Sequence, residues 1–247
     1  NNESLKKPAN SYDRQHWFDD VAKECNHVAE HCGVIDLTGF SRFEISGEGT
    51  SQWLETLITG RLPKIGKVGL IYFSSHKGKV LTEMTATRIS EDHVWLLTGA
   101  GAYWHDRDWL NFNLPESSNI KIVDTTHDLG TMLLTGPKSD LLIAKLTDEK
   151  TDNESFPWLS HKSIKLCGED TRVLKVSYAG EKGFEIHVHN NSMKKIYDEL
   201  VQHGENFNLI HFGMLALDSM RLEKNYRSWK SDFCLLYTSD AADECHS

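Results

Sequence analysis

A strand–turn–strand pattern at residues 69–89 is the feature that most constrains the fold. The segment, GLIYFSSHKGKVLTEMTATRI, has two strand-like halves around a turn at residues 76–78. Side chains of the second half alternate between two faces, Val80, Thr82, Met84 and Ala86 on one and Leu81, Glu83, Thr85 and Thr87 on the other. Strands joined by so short a turn are antiparallel, so the sequence predicts an antiparallel sheet with Glu83 facing away from Met84.

Helical spacing and capping residues predict two helices in the first 60 residues. Apolar side chains recur at helical spacing over residues 16–32, and we expect Gly33 to end that helix as a C′ glycine. A shorter helix follows in GTSQWLETLITG (49–60), with Thr50 or Ser51 as its N-cap.

A second series of strand-like and helical segments follows the polar segment TDEKTDNES (147–155). Three strand-like segments (163–168, 171–180 and 182–190) and two helical segments (192–204 and 212–225) follow it. Together, the predicted strands and helices indicate an α+β fold with antiparallel sheets and packed helices, arranged in two lobes with a break near residue 150.

Composition excludes several classes of function. The net charge of −9, without a basic stripe, argues against nucleic-acid binding. The longest apolar runs are far shorter than the roughly 20 residues of a membrane span, so we expect no membrane association. Five scattered cysteines, an odd number, favour a reducing compartment: the cytoplasm, or the mitochondrial matrix in a eukaryote.

Two motif-like segments are better explained by structure than by chemistry. GAGAYW (99–104) lacks the third glycine of a dinucleotide fingerprint, so it predicts a tight strand-to-helix turn. In CNHVAEHC (25–32), His27 and His31 share one helical face, whereas Cys25 and Cys32 lie in the apolar stripe. We therefore predict no metal site.

The segment SYAGEKGFEIHV (177–188) is the most informative about function. Phe184, Ile186 and Val188 point to one face of a strand, and Glu185, His187 and His189 to the other. A carboxylate at the mouth of the AGEKG turn can accept two N–H donors from an amino-heterocycle such as a pterin. Tyr178 can add a flat apolar face or a hydroxyl, although a solvent-facing Glu185 would fit the same pattern.

Seven segments, taken in order over residues 13–232, resemble the folate-binding aminomethyltransferase family. They are DRQHWFDDV, CGVIDLTGFSRFEISG, KGKVLTEMTATR, WLLTGAGAYWHD, LTGPKSDLL, YAGEKGFEIHV and ALDSMRLEKNYRSW. This family contains the T-protein of the glycine cleavage system and the C-terminal halves of dimethylglycine and sarcosine dehydrogenases. DRQHWF and RLEKNYRSW are more similar to the dehydrogenase branch.

The resemblance implies a function and a set of site residues. Tetrahydrofolate would accept a carbon that an upstream FAD domain releases from an N-methyl amine, giving methylene-tetrahydrofolate. Glu83 corresponds to the catalytic acid, although the T-protein has aspartate there, and Tyr178 and Glu185 correspond to the pterin-binding pair. Arg221 and Tyr226 are further cofactor-binding candidates, with Arg221 expected to pair with acids at the domain junction.

The resemblance also sets expectations for the chain as a whole. We expect residues 1–15 to be a linker from an absent flavin domain, residues 16–232 the folate-binding domain, and the family's terminal β-barrel to be missing. CLLYTSDAADE (234–244) resembles a translated sequencing adapter, so we expect residues 233–247 to be non-native. This chain alone would be inactive. A free glycine-cleavage aminomethyltransferase and a non-catalytic member of the fold are the alternatives.

Overall fold

The structure is a computed structural model that describes residues 14–228 and residue 232. The predicted linker over residues 1–15 therefore lies almost entirely outside the described residues, and the predicted non-native tail at 233–247 lies wholly outside them. The helices are α1 (Phe18–Glu30), α2 (Thr50–Leu57), α3 (Tyr103–Phe112), α4 (Ser139–Ile143), α5 (Asn190–Gly204) and α6 (Met214–Glu223).

The strands form two six-stranded sheets. They are β1 (Cys32–Asp36), β2 (Ser41–Ser46), β3 (Ile58–Thr59), β4 (Val68–Ser74), β5 (Val80–Ser90), β6 (His93–Thr98), β7 (Lys121–Asp124), β8 (Leu129–Thr135), β9 (His161–Leu166), β10 (Glu169–Leu174), β11 (Gly183–His189) and β12 (Leu209–His211). The first sheet has the order β12-β1-β8-β11-β10-β9 and the second β3-β4-β5-β6-β2-β7. All pairs are antiparallel except β1 with β12, so the predicted α+β class is confirmed.

The change of pattern near residue 150 does not separate the two sheets. β1 and β8 precede that position, yet they share the first sheet with β9, β10 and β11, which follow it. The composition of a sheet depends on strand pairing over long distances, which local pattern does not reveal. The domain boundaries of the sequence analysis therefore remain a prediction.

Both sheets pack against helices, and the first sheet also packs its second face on α1 and α6. The first sheet packs on α4 and α5 through residues such as Leu142, Phe184 and Leu200. The second packs on α2 and α3 through residues such as Trp53, Phe73 and Leu110. A smaller apolar cluster joins Val68, Trp95 and Leu97 of the second sheet to Leu174 of the first, so the two sheets contact each other directly. None of the helices in the described part of the chain is long and apolar enough to cross a bilayer.

Two predicted helix ends are wrong. α1 ends at Glu30, and Gly33 lies inside β1, where an added Cβ would be 2.6 Å from Val28. Glycine is therefore required here for the close packing of α1 on β1. It has no role in ending the helix. Thr50 and Ser51 lie inside α2, and its N-cap is Gly49, which has a left-handed φ of 85°. The Thr50 hydroxyl donates back to the Gly47 carbonyl at 2.7 Å, so it does not cap the helix.

The hairpin of β4 and β5 has the predicted turn and one irregularity. Gly78 adopts a left-handed φ of 75° at the turn, which favours glycine. The register shifts between Phe73 and Ser74, so Tyr72 pairs with Glu83. Residues that pair directly across two strands share a face, and the side chains of Tyr72 and Glu83 therefore lie together.

Candidate functional site

A cavity of about 490 Å³ lies between the two sheets. β4 and β5 of the second sheet form one wall, and β11 with the loops around β10 forms the other. Three of the sequence-predicted residues line it: Tyr178, Glu185 and Tyr226. Much of the remaining wall is apolar, from Val68, Leu70, Trp158, Leu159 and Val176. The volume is within the range of about 300–1,000 Å³ that small-molecule sites occupy.

The AGEKG turn before β11 brings Tyr178 next to Tyr226. Gly180 has a left-handed φ of 77°, and an added Cβ would lie 2.1 Å from the Lys224 side chain. Lys224 also pairs with Glu181 at 3.2 Å, so the turn packs on the end of α6. As a result, the rings of Tyr178 and Tyr226 stack with centroids 6.5 Å apart and an angle of 24° between their planes.

Glu185 lies in the middle of β11, opposite Leu133 on one side and Leu174 on the other. Its side chain is only 12% exposed, and Oε2 is 3.4 Å from Nε2 of His187. The alternative of a solvent-facing glutamate is therefore wrong. A largely buried carboxylate at the edge of an apolar cavity favours a ligand that brings its own N–H donors.

The Tyr178 hydroxyl is also buried. It makes no hydrogen bond of normal geometry within the described part of the chain, although Ser228 lies close to it. Burial raises the pKa of Tyr178, and the charge of Arg221 partly opposes that shift. The Arg221 guanidinium centre lies 5.7 Å from the centroid of the Tyr178 ring, on its face.

Arg221 lines neither this cavity nor the one beside Glu83, and its contacts are structural. It is 3% exposed, pairs with Asp218 at 2.6 Å and with Asp232, and donates to the Tyr226 carbonyl at 2.8 Å. These contacts raise its pKa, with the Asp232 hydrogen bond as the largest cause. Arg221 therefore holds the segment after α6 that carries Tyr226 into the cavity wall, and this agrees with the predicted pairing with acids.

Glu83 lies in a second, smaller cavity of about 160 Å³, which Thr98, Gly99, Gly101 and Ser228 help to line. Its Oε2 atom is buried, and no hydrogen-bond partner for it exists among the residues that the structure describes. Burial raises the pKa of Glu83, and a hydrogen bond from Tyr72 opposes the shift. The structure thus separates Glu83 from the three residues of the larger cavity.

Tyr72 connects the two cavities, and the sequence analysis missed it. Its side chain lines the larger cavity, and its hydroxyl lies close to the carboxyl group of Glu83, which borders the smaller one. Burial, together with Glu83, raises the pKa of Tyr72 to about 12, so it remains a donor at neutral pH. Only the register of the β4–β5 hairpin could have revealed Tyr72. Without the shift between Phe73 and Ser74, Tyr72 would pair with Thr82 instead of Glu83.

GAGAYW (99–104) forms the predicted turn, and the prediction for CNHVAEHC (25–32) needs one correction. Residues Ala100–Ala102 form a short 3₁₀ turn between β6 and α3, as the GAGAYW segment predicts. Cys32 lies in β1 and so does not share a helical face with Cys25. His27 Nε2 contacts the Asn208 carbonyl at 2.6 Å, and no group of three metal-ligand side chains occurs within residues 14–228 or at 232.

Leu159 forms part of the apolar wall in an unusual backbone conformation. Its φ is 55°, in the left-handed region that a leucine rarely adopts. Its N–H donates to the Lys175 carbonyl at 3.1 Å, and its carbonyl accepts from the Val68 N–H at 2.9 Å. Lys175 follows β10 and Val68 begins β4, so Leu159 links the two sheets at the cavity.

Comparison with known proteins gives consistent results. The sequence profile of the GCVT N-terminal domain matches residues 4–243. Mitochondrial dimethylglycine dehydrogenase from Rattus norvegicus is 30% identical over 223 residues, which are 90% of this chain and 26% of that protein. An aminomethyltransferase from Chloroherpeton thalassium is 26% identical over 85% of this chain and 58% of its own length.

The fold also matches that of a solved structure. The glycine cleavage system aminomethyltransferase T from Bartonella henselae has a TM-score of 0.72 and 22% identity, over 82% of this chain and 54% of that one. At this identity the likeness concerns the fold alone. The chain spans about a quarter of the dehydrogenase and a little over half of the aminomethyltransferase that it matches in sequence.

Proposed function

The chain belongs to the GCVT N-terminal domain family, and we propose that it binds tetrahydrofolate as the one-carbon-accepting domain of an FAD-dependent N-methyl-amine dehydrogenase. The amine would be of the dimethylglycine or sarcosine type. The observation that carries the proposal is the grouping of Tyr178, Glu185 and Tyr226 on one largely apolar cavity, with Glu83 beside it. Similarity to dimethylglycine and sarcosine dehydrogenases supports the dehydrogenase assignment.

The chemistry of the larger cavity fits a pterin. A pterin has two flat faces and an edge of N–H donors. Glu185 offers a largely buried acceptor for those donors, and a charge-assisted hydrogen bond of this kind is stronger than a neutral one. The stacked pair of Tyr178 and Tyr226 offers an aromatic surface, and Trp158 and Leu70 offer apolar contacts.

Glu83 is the residue that we assign to the reaction. Tetrahydrofolate supplies nitrogen nucleophiles that take up a one-carbon unit, and methylene-tetrahydrofolate is the product. The Glu83 carboxylate, with a raised pKa and one unsatisfied oxygen, can accept a proton or stabilise a developing cation. The Tyr72 hydroxyl, on the wall of the larger cavity, lowers the pKa of Glu83 and so partly opposes the effect of burial.

The other partners of the reaction belong to the rest of the proposed enzyme. FAD and the amine would bind in an upstream domain, and the residues of the two cavities are assigned to neither. We place the protein in the cytoplasm, or in the mitochondrial matrix of a eukaryote, since the rat relative is a mitochondrial protein. We propose no nucleic-acid or membrane partner.

A free aminomethyltransferase of the glycine cleavage type is the second candidate. The Chloroherpeton relative carries that name, and the Bartonella protein of that type shares the fold. A flavin-binding domain encoded in frame upstream would support the dehydrogenase, and its absence from the gene would support the free enzyme. A non-catalytic member of the family would neither bind tetrahydrofolate nor promote one-carbon capture.

Titration of tetrahydrofolate against this chain tests the proposed function. Tryptophan fluorescence gives the signal, since Trp158 lies in the cavity wall. We expect saturable binding by the wild type, and a loss of about 100-fold or more in affinity with Glu185→Ala, because the substitution removes a charged acceptor. Glu205→Ala is the control, since Glu205 is exposed and lies outside the cavity. Equal affinity of wild type and Glu185→Ala would reject the pterin assignment.

A further inference from the structure

A series of buried polar groups, none of which lines the larger cavity, leads to Glu185. His187 is 1% exposed and lies two residues along β11, so it shares a face with Glu185. In the first sheet it pairs with Thr131 of β8 and with Arg172 of β10. Its ring packs edge-on against Trp95 of the second sheet, with centroids 4.7 Å apart.

The first group in this series is Arg42, which is fully buried. Its guanidinium is fixed by the carbonyls of Phe40 at 2.7 Å and Thr126 at 3.2 Å, among others. It also donates through Nη2 to the hydroxyl oxygen of Thr131. A guanidinium donates hydrogen bonds and accepts none, so Thr131 is the acceptor in this contact.

The Thr131 hydroxyl then determines which nitrogen of His187 carries the proton. Its oxygen lies 2.7 Å from His187 Nδ1. Among the described residues, the hydrogen-bond contacts of this oxygen are with Arg42 and with His187. Since Arg42 cannot accept, the hydroxyl hydrogen has Nδ1 as its acceptor, and the proton of the neutral ring is on Nε2. Burial lowers the pKa of His187, with Glu185 opposing, and this favours the neutral ring.

The protonated Nε2 faces Glu185. It lies 3.4 Å from Oε2 of the carboxylate, and the contact does not have the geometry of a normal hydrogen bond. Contacts of this length are common in ligand-free sites and shorten when the ligand binds. A His187 that served only to fill the core against Trp95 would not need a proton on that nitrogen.

We propose that His187 is a positioning residue for Glu185: Arg42 and Thr131 hold the proton on Nε2, and Nε2–H orients the carboxylate toward the N–H donors of the ligand. This inference rests on the proposed function and names the groups that make Glu185 a fixed acceptor. Arg42 donates to Thr131, and Thr131 donates to His187. Arg42 and Thr131 therefore act through His187 without contacting the ligand.

Two amide substitutions of His187 test the proposal by tetrahydrofolate titration of the chain. Glutamine places its amide near the position of Nε2, and asparagine places it near Nδ1. We expect His187→Asn to weaken binding about tenfold and His187→Gln to retain the affinity within about threefold, because only glutamine can still donate to Glu185. Equal affinities for the two variants would overturn the positioning role.

A second variant does not depend on a substitution at His187 folding well, and a spectroscopic measurement on the wild type gives a further readout. Thr131→Val is expected to weaken binding, whereas Thr171→Val, a buried threonine of the same sheet that donates to the Ile164 carbonyl, is expected to change nothing. In the wild type, ¹⁵N chemical shifts of labelled histidine are expected to show His187 protonated on Nε2. The His187→Gln variant assigns its signal. A proton on Nδ1 would overturn the inference.

The outcomes separate this inference from the proposed function. Failure of the wild type to bind tetrahydrofolate would reject both. Loss of binding in Glu185→Ala, together with wild-type affinity in both His187→Asn and Thr131→Val, would leave the proposed function standing and overturn the role of His187 alone.

Discussion

Glu83 and Glu185 are two partly or largely buried carboxylates with opposite surroundings. Glu185, on the first sheet, borders a cavity of about 490 Å³ and has His187 behind it. Glu83, on the second sheet, borders a cavity of about 160 Å³, and one of its oxygens has no partner within the described residues. Burial raises the pKa of Glu83. The comparison indicates that the carboxylate beside the larger apolar cavity suits binding, whereas the one whose pKa burial raises suits proton transfer.

The largest expected effect separates the two carboxylates by function. In the complete enzyme, Glu83→Gln is expected to lower the rate of methylene-tetrahydrofolate formation from formaldehyde, measured above the rate without protein, by about 100-fold or more, since a positioned acid or base contributes that much. Affinity for tetrahydrofolate should stay within about twofold. The control is Glu48→Gln, at an exposed residue outside both cavities. A matching loss of affinity would mean that Glu83 binds the ligand as Glu185 does.

Tyr226 sharpens the assignment of the larger cavity to binding. Tyr226→Ala removes one ring of the stacked pair and part of the wall, so affinity for tetrahydrofolate should fall about tenfold. Tyr197→Ala is the matched control, because Tyr197 has a similar exposure of 38% against 40% and lies outside that cavity. If Tyr226→Ala lowers the rate of methylene-tetrahydrofolate formation more than the affinity, Tyr226 would belong to the reaction, as Glu83 does.

Stability provides a third test of the contrast. A folded-state pKa above the unfolded one means that the Glu83 charge destabilises the fold at pH values above both. We expect Glu83→Gln to raise the free energy of unfolding by about 1 kcal/mol at pH 7, or Tm by about 2–4 °C. The gain should shrink as pH falls through the raised pKa toward 4.5, because wild-type Glu83 then becomes neutral as well.

The same stability measurement on Glu185→Gln is the counterpart. Glu185 has His187 as a neighbour, so its neutralisation removes a favourable contact and should bring no gain. Thermal unfolding across a pH series gives both results. A gain of equal size in both variants would show that the two environments do not differ in the way described.

Tyr72→Phe has the smallest expected effect and tests the link between the cavities. Loss of its hydroxyl removes the hydrogen bond that lowers the pKa of Glu83, so that pKa should rise further. If capture by the complete enzyme uses the ionised carboxylate, the ascending limb of its pH–rate profile is expected to move to higher pH. An unchanged profile would show that Tyr72 has no influence on Glu83.

Much of the fold could be predicted from local pattern. Alternation predicted β5 and its hairpin with β4, and helical spacing predicted α1 to within two residues at each end. The failure at Gly33 has a physical cause: glycine serves helix ends and close packing equally well, and only the contact with Val28 distinguishes them. Similarly, which strands share a sheet depends on pairing between distant segments.

The candidate site was predictable in part. The turn at 179–183 places Tyr178 and Glu185 near each other in any fold that keeps the hairpin-like bend. Their meeting with Tyr226 depends on Arg221 and on the packing of Gly180 against Lys224, which join segments about 45 residues apart. The pairing of Tyr72 with Glu83 depends on a single bulge, which alternation alone cannot reveal.

Leu159 has a consequence for engineering. Its left-handed backbone costs a leucine about 1 kcal/mol or more, and glycine or asparagine would adopt the same φ with less strain. A search for thermostable variants would therefore favour those residues at position 159. Either of them would remove an apolar side chain from the wall of the larger cavity. At this position, selection for heat resistance and selection for ligand affinity are expected to choose different amino acids.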